Sequence, residues 1–125
     1  MKQIILQGHD VPVDFILKSS DGTVIQPNSL SQILIILYYE VGGQILSKFS
    51  KTSLSGYTLL SVEDNALGKI RVIVPSDTTK IAKAGTIRAE VKIKAADSDM
   101  ADAILDQGVK DLYCFDINES RLKNA

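Results

Sequence analysis

Tryptophan is absent from this sequence, and cysteine and histidine occur once each, as Cys114 and His9. A single cysteine excludes an intrachain disulfide, a multi-cysteine zinc site and a CxxC redox pair. A single histidine leaves any Ser-His-Asp arrangement only one ring to use, His9 beside Asp10. That ring sits in a Gly-flanked break between two apolar segments, where a loop histidine is the plainer reading. Charge of either sign is not in excess: the net charge is -1, so nothing attracts a polyanion, and nucleic acid is not expected as a partner. No apolar run approaches the ~20 residues that span a bilayer, so no membrane contact is expected. The apolar run in the first ten residues is too short for a signal-peptide core, which predicts synthesis and maturation in a cytosol.

What is present is a globular composition of one-domain size, with 45% hydrophobic and 23% charged residues over 125 positions. The densest apolar stretch is SQILIILYYEVGGQILSKF, residues 31–49. Its first half is β-branched and short, and it is bounded by Gly42 and Gly43, which suit a tight hairpin turn. Period-two geometry puts Ile33, Ile35, Leu37 and Tyr39 on one face and Leu34, Ile36 and Tyr38 on the other. Both faces are apolar. A sandwich core covers only one, so the other needs a second cover, from residues 97–107 or from a neighbouring molecule.

Further strands are predicted over 2–6, 11–18, 57–62, 69–74, 86–94 and 109–117. The clearest is 86–94, with Ile87, Ala89, Val91 and Ile93 inward and Arg88, Glu90, Lys92 and Lys94 outward. Residues 76–82 read as one helical turn with Ser76 or Asp77 as N-cap. Residues 97–107 read as a short helix, in which Met100 and Ile104 share a face, or as a long loop. No βαβ alternation is present. The strand count, short connections and turn chemistry predict an all-β fold, an antiparallel immunoglobulin-like β-sandwich of seven or eight strands with one or two short helical turns. It occupies residues 1–117, and 118–125 form a polar C-terminal tail.

The sequence offers little chemistry. Asp97, Asp99, Asp102 and Asp106 lack the Gly and Glu of a calcium loop and read as a solvated face. Gly68-Lys69 lacks the remainder of a phosphate loop, and Asn118-Glu119-Ser120 matches a glycosylation acceptor only by chance. Cys114 lies mid-strand among apolar residues and reads as a small core hydrophobe. No catalytic, metal or cofactor site is expected, and the chain is not read as an enzyme. The candidate contact residues for a protein partner are Tyr38, Tyr39, Tyr57, Arg88, Lys92, Met100 and Ile104, aromatic or cationic side chains on strands and apolar ones in the 97–107 segment. Tyr38, Tyr39 and Tyr57 suit core or interface equally.

Three stretches carry a resemblance: IILQGHDVPVDFILKSSDGTVI at 4–25, YYEVGGQILSK at 38–48, and LGKIRVIVPSDTTKIAKAGTIRAEVKI at 67–93. A Gly-acid break leads into an alternating strand and an Asp-Gly turn. Later a Gly-led strand precedes a Thr…Ala-Gly helical turn and another strand. In this order the chain resembles the immunoglobulin-like domains of tailed-phage virion proteins, similar to the N-terminal domain of upper baseplate proteins. The resemblance implies a structural component of a bacteriophage particle, in the capsid, neck, tail or baseplate, located in the virion after synthesis in the host cytoplasm. Its partners would be other virion proteins and copies of itself. The rival expectation is a carbohydrate- or surface-binding β-sandwich module without catalytic activity.

Overall fold

Alternation at period two decides most of the architecture. The structure, a computed structural model, describes residues 4–19, 22–95, 101–102, 104–105 and 112–118. Among them are the strands β1 (Ile4–Leu6), β2 (Val11–Lys18), β3 (Leu30–Tyr39), β4 (Ile45–Ser50), β5 (Thr58–Leu59), β6 (Ser61–Asp64), β7 (Lys69–Val74), β8 (Gly85–Ala95), β9 (Ala101–Asp102), β10 (Ile104–Leu105) and β11 (Leu112–Asn118). A 3-10 turn at Pro27–Ser29 and the single-turn helix α1 (Ser76–Ile81) complete the elements. The strands form two sheets in a sandwich. The larger runs β1-β11-β8-β3-β4-β5, with β9 also on β8, and the smaller runs β10-β2-β7-β6.

The core lies between them and takes the alternate residues that the pattern marks as inward. Val11, Val13, Phe15 and Leu17 of β2 and Ile70, Val72 and Val74 of β7 face it from the smaller sheet. Ile33, Ile35, Leu37 and Tyr39 of β3, Phe49 of β4, Ile87, Ala89 and Val91 of β8, and Phe115 and Ile117 of β11 face it from the larger. Full burial of each large side chain stabilises the fold by about 1.5–3 kcal/mol, so β3 and β8 anchor the sheet through their inner residues alone. Ile93 is partly buried against the same core. The β3–β4 hairpin turns at Gly42 and Gly43, whose φ values of 89° and 69° are the left-handed ones anticipated. Tyr39 N–H donates to the Gln44 carbonyl at 2.9 Å and closes the turn.

Four local expectations are corrected. Residues 57–62 are not one strand. Thr58 and Leu59 pair parallel with β4, Leu60 N–H donates to the Ser50 carbonyl at 2.9 Å, and Ser61 onward joins β7 in the other sheet. Alternation cannot reveal such a crossing, because the period is the same in both sheets. The 97–107 segment is neither a helix nor a loop at its described positions, 101–102 and 104–105. Ala101 and Asp102 pair with Ile93 and Lys92 of β8, and Ile104 and Leu105 pair with Lys18 and Leu17 of β2. Helix propensity over so few residues is a weak preference that open strand edges override. Pairing is not wholly antiparallel, since β1–β11 and β4–β5 are parallel. Finally, neither Ser76 nor Asp77 caps α1: its N-cap position is Pro75, which has no side-chain acceptor, and Ser76 N–H donates instead to Asp10 Oδ1 at 2.6 Å.

That bond belongs to a set that ties the Gly8-His9-Asp10 break to α1. Thr79 is fully buried, and its Oγ1 donates to the His9 carbonyl at 2.7 Å and accepts from Gly8 N–H at 3.1 Å. Gln7 Nε2 donates to the Ala82 carbonyl. The break therefore serves as a socket for the helical turn that links the two sheets. Among the described residues no helix is long and apolar enough to cross a membrane.

Candidate functional site

The two sheets differ in what they turn to solvent. On the smaller sheet, Asp14 accepts from Arg71 Nε at 2.7 Å and from Arg71 Nη2 at 3.1 Å, with Lys69 at 3.6 Å from the same carboxylate. The strong hydrogen bond from Arg71 holds the Asp14 carboxyl below its ordinary range, against the opposing effect of partial burial. The central charges of this surface are matched, and beside them the cross-strand pair Pro12 and Ile73 is exposed.

The larger sheet is different. The residues of β3 that alternate with its core set are Leu34, Ile36 and Tyr38, all half-buried. Register places Leu34 between Lys92 and Ser50, Ile36 between Glu90 and Lys48, and Tyr38 between Arg88 and Ile45. An apolar strip thus runs along the middle of the face, flanked by long charged side chains whose stems shield it in part. Arg88 Nε and Nη2 donate to Glu40 Oε1 at 2.9 and 2.7 Å, which fixes that guanidinium over the hairpin end. Lys48 Nζ lies 4.9 Å from the centre of the Tyr57 ring, a cation–π contact that brings Tyr57 to the same face.

Of the candidate contact residues, Tyr38, Tyr57, Arg88 and Lys92 come together here. Tyr39 does not. It is 5% exposed, its hydroxyl donates to the Lys83 carbonyl at 2.9 Å, and burial raises its phenol pKa, so it belongs to the core. Met100 lies outside the described residues, and Ile104 is described only as backbone, in β10. Glu40, Lys48 and Ile45 join the face without having been singled out in the sequence. Register across β3 brings Lys48 and Ile45 beside the strip and the Arg88 ion pair brings Glu40, and neither is visible in composition or spacing.

The chemically suggestive residues elsewhere are dispersed. The His9 side chain is exposed and only its carbonyl is engaged, by Thr79. Burial pushes the Cys114 thiol up to about 12, with the Arg88 charge pulling the other way, so little nucleophilic thiolate exists near neutrality. Among the described residues no three His, Cys, Asp or Glu side chains are grouped to hold a metal ion. Of the four acids weighed for calcium, only Asp102 is described, in β9. No protein-family model and no curated protein matches the chain. The functional reading therefore rests on the face itself.

Proposed function

We propose that this chain is an immunoglobulin-like structural subunit of a tailed-phage particle, and that it binds a neighbouring virion protein through the outer face of its larger sheet. The apolar strip Leu34-Ile36-Tyr38, uncovered by any third layer among the described residues and bordered by Lys48, Arg88, Glu90 and Lys92, carries the binding part of this reading. An apolar centre with a polar, charged border is the anatomy of a protein interface. The phage assignment rests on the three stretches of sequence resemblance.

The immunoglobulin-like reading has support in the strand neighbours. In variable-type immunoglobulin order, β11-β8-β3-β4 correspond to strands G, F, C and C′, and β2-β7-β6 to B, E and D. The disulfide and tryptophan of antibody domains have no counterpart, and Phe15, Ile35 and Val91 supply buried bulk on the equivalent strands. A carbohydrate platform would need a free aromatic ring face, whereas the Tyr57 ring carries Lys48.

The test is mass spectrometry of purified particles from cells encoding the chain, with and without Ile36→Asp. The expected result is a fixed copy number for the wild type and loss of the variant from particles, while the variant remains folded in solution. Absence of the wild-type chain from particles would refute the phage assignment. Incorporation of the variant at wild-type level would refute the assigned face.

A further inference from the structure

A cleft of about 310 Å³ opens at one end of the sandwich. Ile45 and Leu46, at the start of β4, line one side, and Thr78 and Ile81 of α1 the other, with Tyr39 and Lys83 also among the lining residues. Three of its properties specify an occupant. The neighbouring strand edge is open: β3 pairs along one side of β4, while β5 covers only Phe49 and Ser50 on the other. Residues 45–48 thus have no strand partner on that side among the described residues, and alternate backbone N–H and C=O groups there point away from β3. The walls mix apolar and polar groups: Ile81 and Ile45, 85% and 53% exposed, face each other beside Gln44 and Thr78. The charge is of one sign. Lys83 is the charged residue of the lining, its Nζ lies 5.0 Å from the Tyr39 ring, and among the described residues no carboxylate pairs with it.

We propose that this cleft receives an extended segment of a partner protein, added to β4 as a further strand, with an apolar side chain between Ile45 and Ile81 and an Asp or Glu carboxylate at Lys83. Strand addition supplies backbone hydrogen bonds that any sequence can make, and the cleft beside the edge selects the side chains. A second copy is a poorer occupant. Two β4 edges side by side would gather Lys48 and Lys83 from both molecules, and like charges across a strand pair are destabilising. The site shares Ile45 with the outer sheet face, but it is built on α1 and the open edge of β4 and stands whether or not that face binds a virion protein.

The experiment selects a yeast-displayed random decapeptide library on the full chain, with Ile81→Asp as the counter-selected bait, and maps the winners by amide chemical shifts. Ile81 is 85% exposed, so the variant keeps the fold, and Ile45→Lys serves as a second bait should it not. Enriched peptides are expected to alternate apolar residues around an Asp or Glu and to shift the amides of residues 44–48 and 78–83. They should lose binding when their pairing amides are N-methylated, and bind Lys83→Gln about fivefold more weakly, the scale of an exposed ion pair. Failure to enrich, enrichment without an acid, or shifts confined to other strands would overturn the proposal. A concentration-dependent dimer abolished by Ile81→Asp would overturn it too, by giving the cleft to a second copy.

Discussion

Asp10 Oδ1 accepts the backbone N–H of Ser76 at 2.6 Å, across 66 positions of sequence. The bond caps a helical turn whose own N-cap residue, Pro75, has no side chain able to do so. Asp10→Ala should cost about 0.5–2 kcal/mol, the usual range for a lost cap. Asp10→Asn, which keeps an acceptor, should cost much less. Urea denaturation of both variants checks this. Equal losses would mean that charge, and not the hydrogen bond, holds the turn.

Glycine matters for different reasons at Gly68 and Gly42. A Cβ on Gly68 would stand 2.8 Å from the Leu17 carbonyl oxygen and 2.9 Å from that of Ile25, at a φ of +70°. A Cβ on Gly42 would meet open space, at a φ of +89°. Gly42→Ala should therefore cost only the left-handed backbone penalty of roughly 1–2 kcal/mol. Gly68→Ala should cost clearly more, because backbone carbonyls beside the β2–β7 ladder must move. Thermal unfolding of the pair, measured side by side, decides between steric and purely conformational cost.

The Asp14–Arg71 pair gives stability a pH dependence. The folded-state carboxyl titrates below its ordinary value of 3.8, through the Arg71 hydrogen bond first and the charges of Arg71 and Lys69 in addition. Its contribution is present in full above the unfolded value and disappears as pH falls through the lower folded one. The side chain is 34% exposed, so Asp14→Asn should lose only about 0.2–1 kcal/mol at neutral pH. That gap should close as pH falls below 3.8. Chemical denaturation at a series of pH values would follow it, and a gap that stays constant would exclude the ion pair as its source.

Cys114 provides a probe of opening. Its thiol is pushed from 9.0 to about 12 by burial, which lowers the reactive thiolate by about a thousandfold near neutral pH. Iodoacetamide at mildly alkaline pH should leave the native protein almost unlabelled over the time in which urea-unfolded protein reacts completely. Rapid native labelling would mean that β11 detaches from the sandwich.

Most of the two-layer β architecture was legible in the alternation of 11–18, 69–74 and 86–94, because a half-buried strand must write period two into its own sequence, and in the short unbroken apolar run of 33–39. The inward set of β8, Ile87, Ala89 and Val91, and the glycine turn at 42–43 follow from that and from backbone sterics. At 101–102 and 104–105 the helix reading did not survive, since β9 and β10 are shaped by partners and not by the residues within them. The candidate site was half legible. Arg88 and Lys92 could be placed on an outward face from the pattern, but Tyr38 and Tyr39, on opposite faces of one strand, could not be assigned to surface and core without knowing which face met the other sheet.

By itself, then, the sequence determined the long strands 11–18, 33–39, 69–74 and 86–94 and the apolar sides they carry, because both are local consequences of chain geometry and of water's exclusion of hydrocarbon. Only the tertiary structure decided which strands became neighbours, where the chain crosses between sheets at Leu60, which acid caps α1, and that Lys48, Glu40 and Ile45 border one apolar strip. These are long-range pairings. Their energies depend on register and on open edges, and neither exists until the sheets have formed.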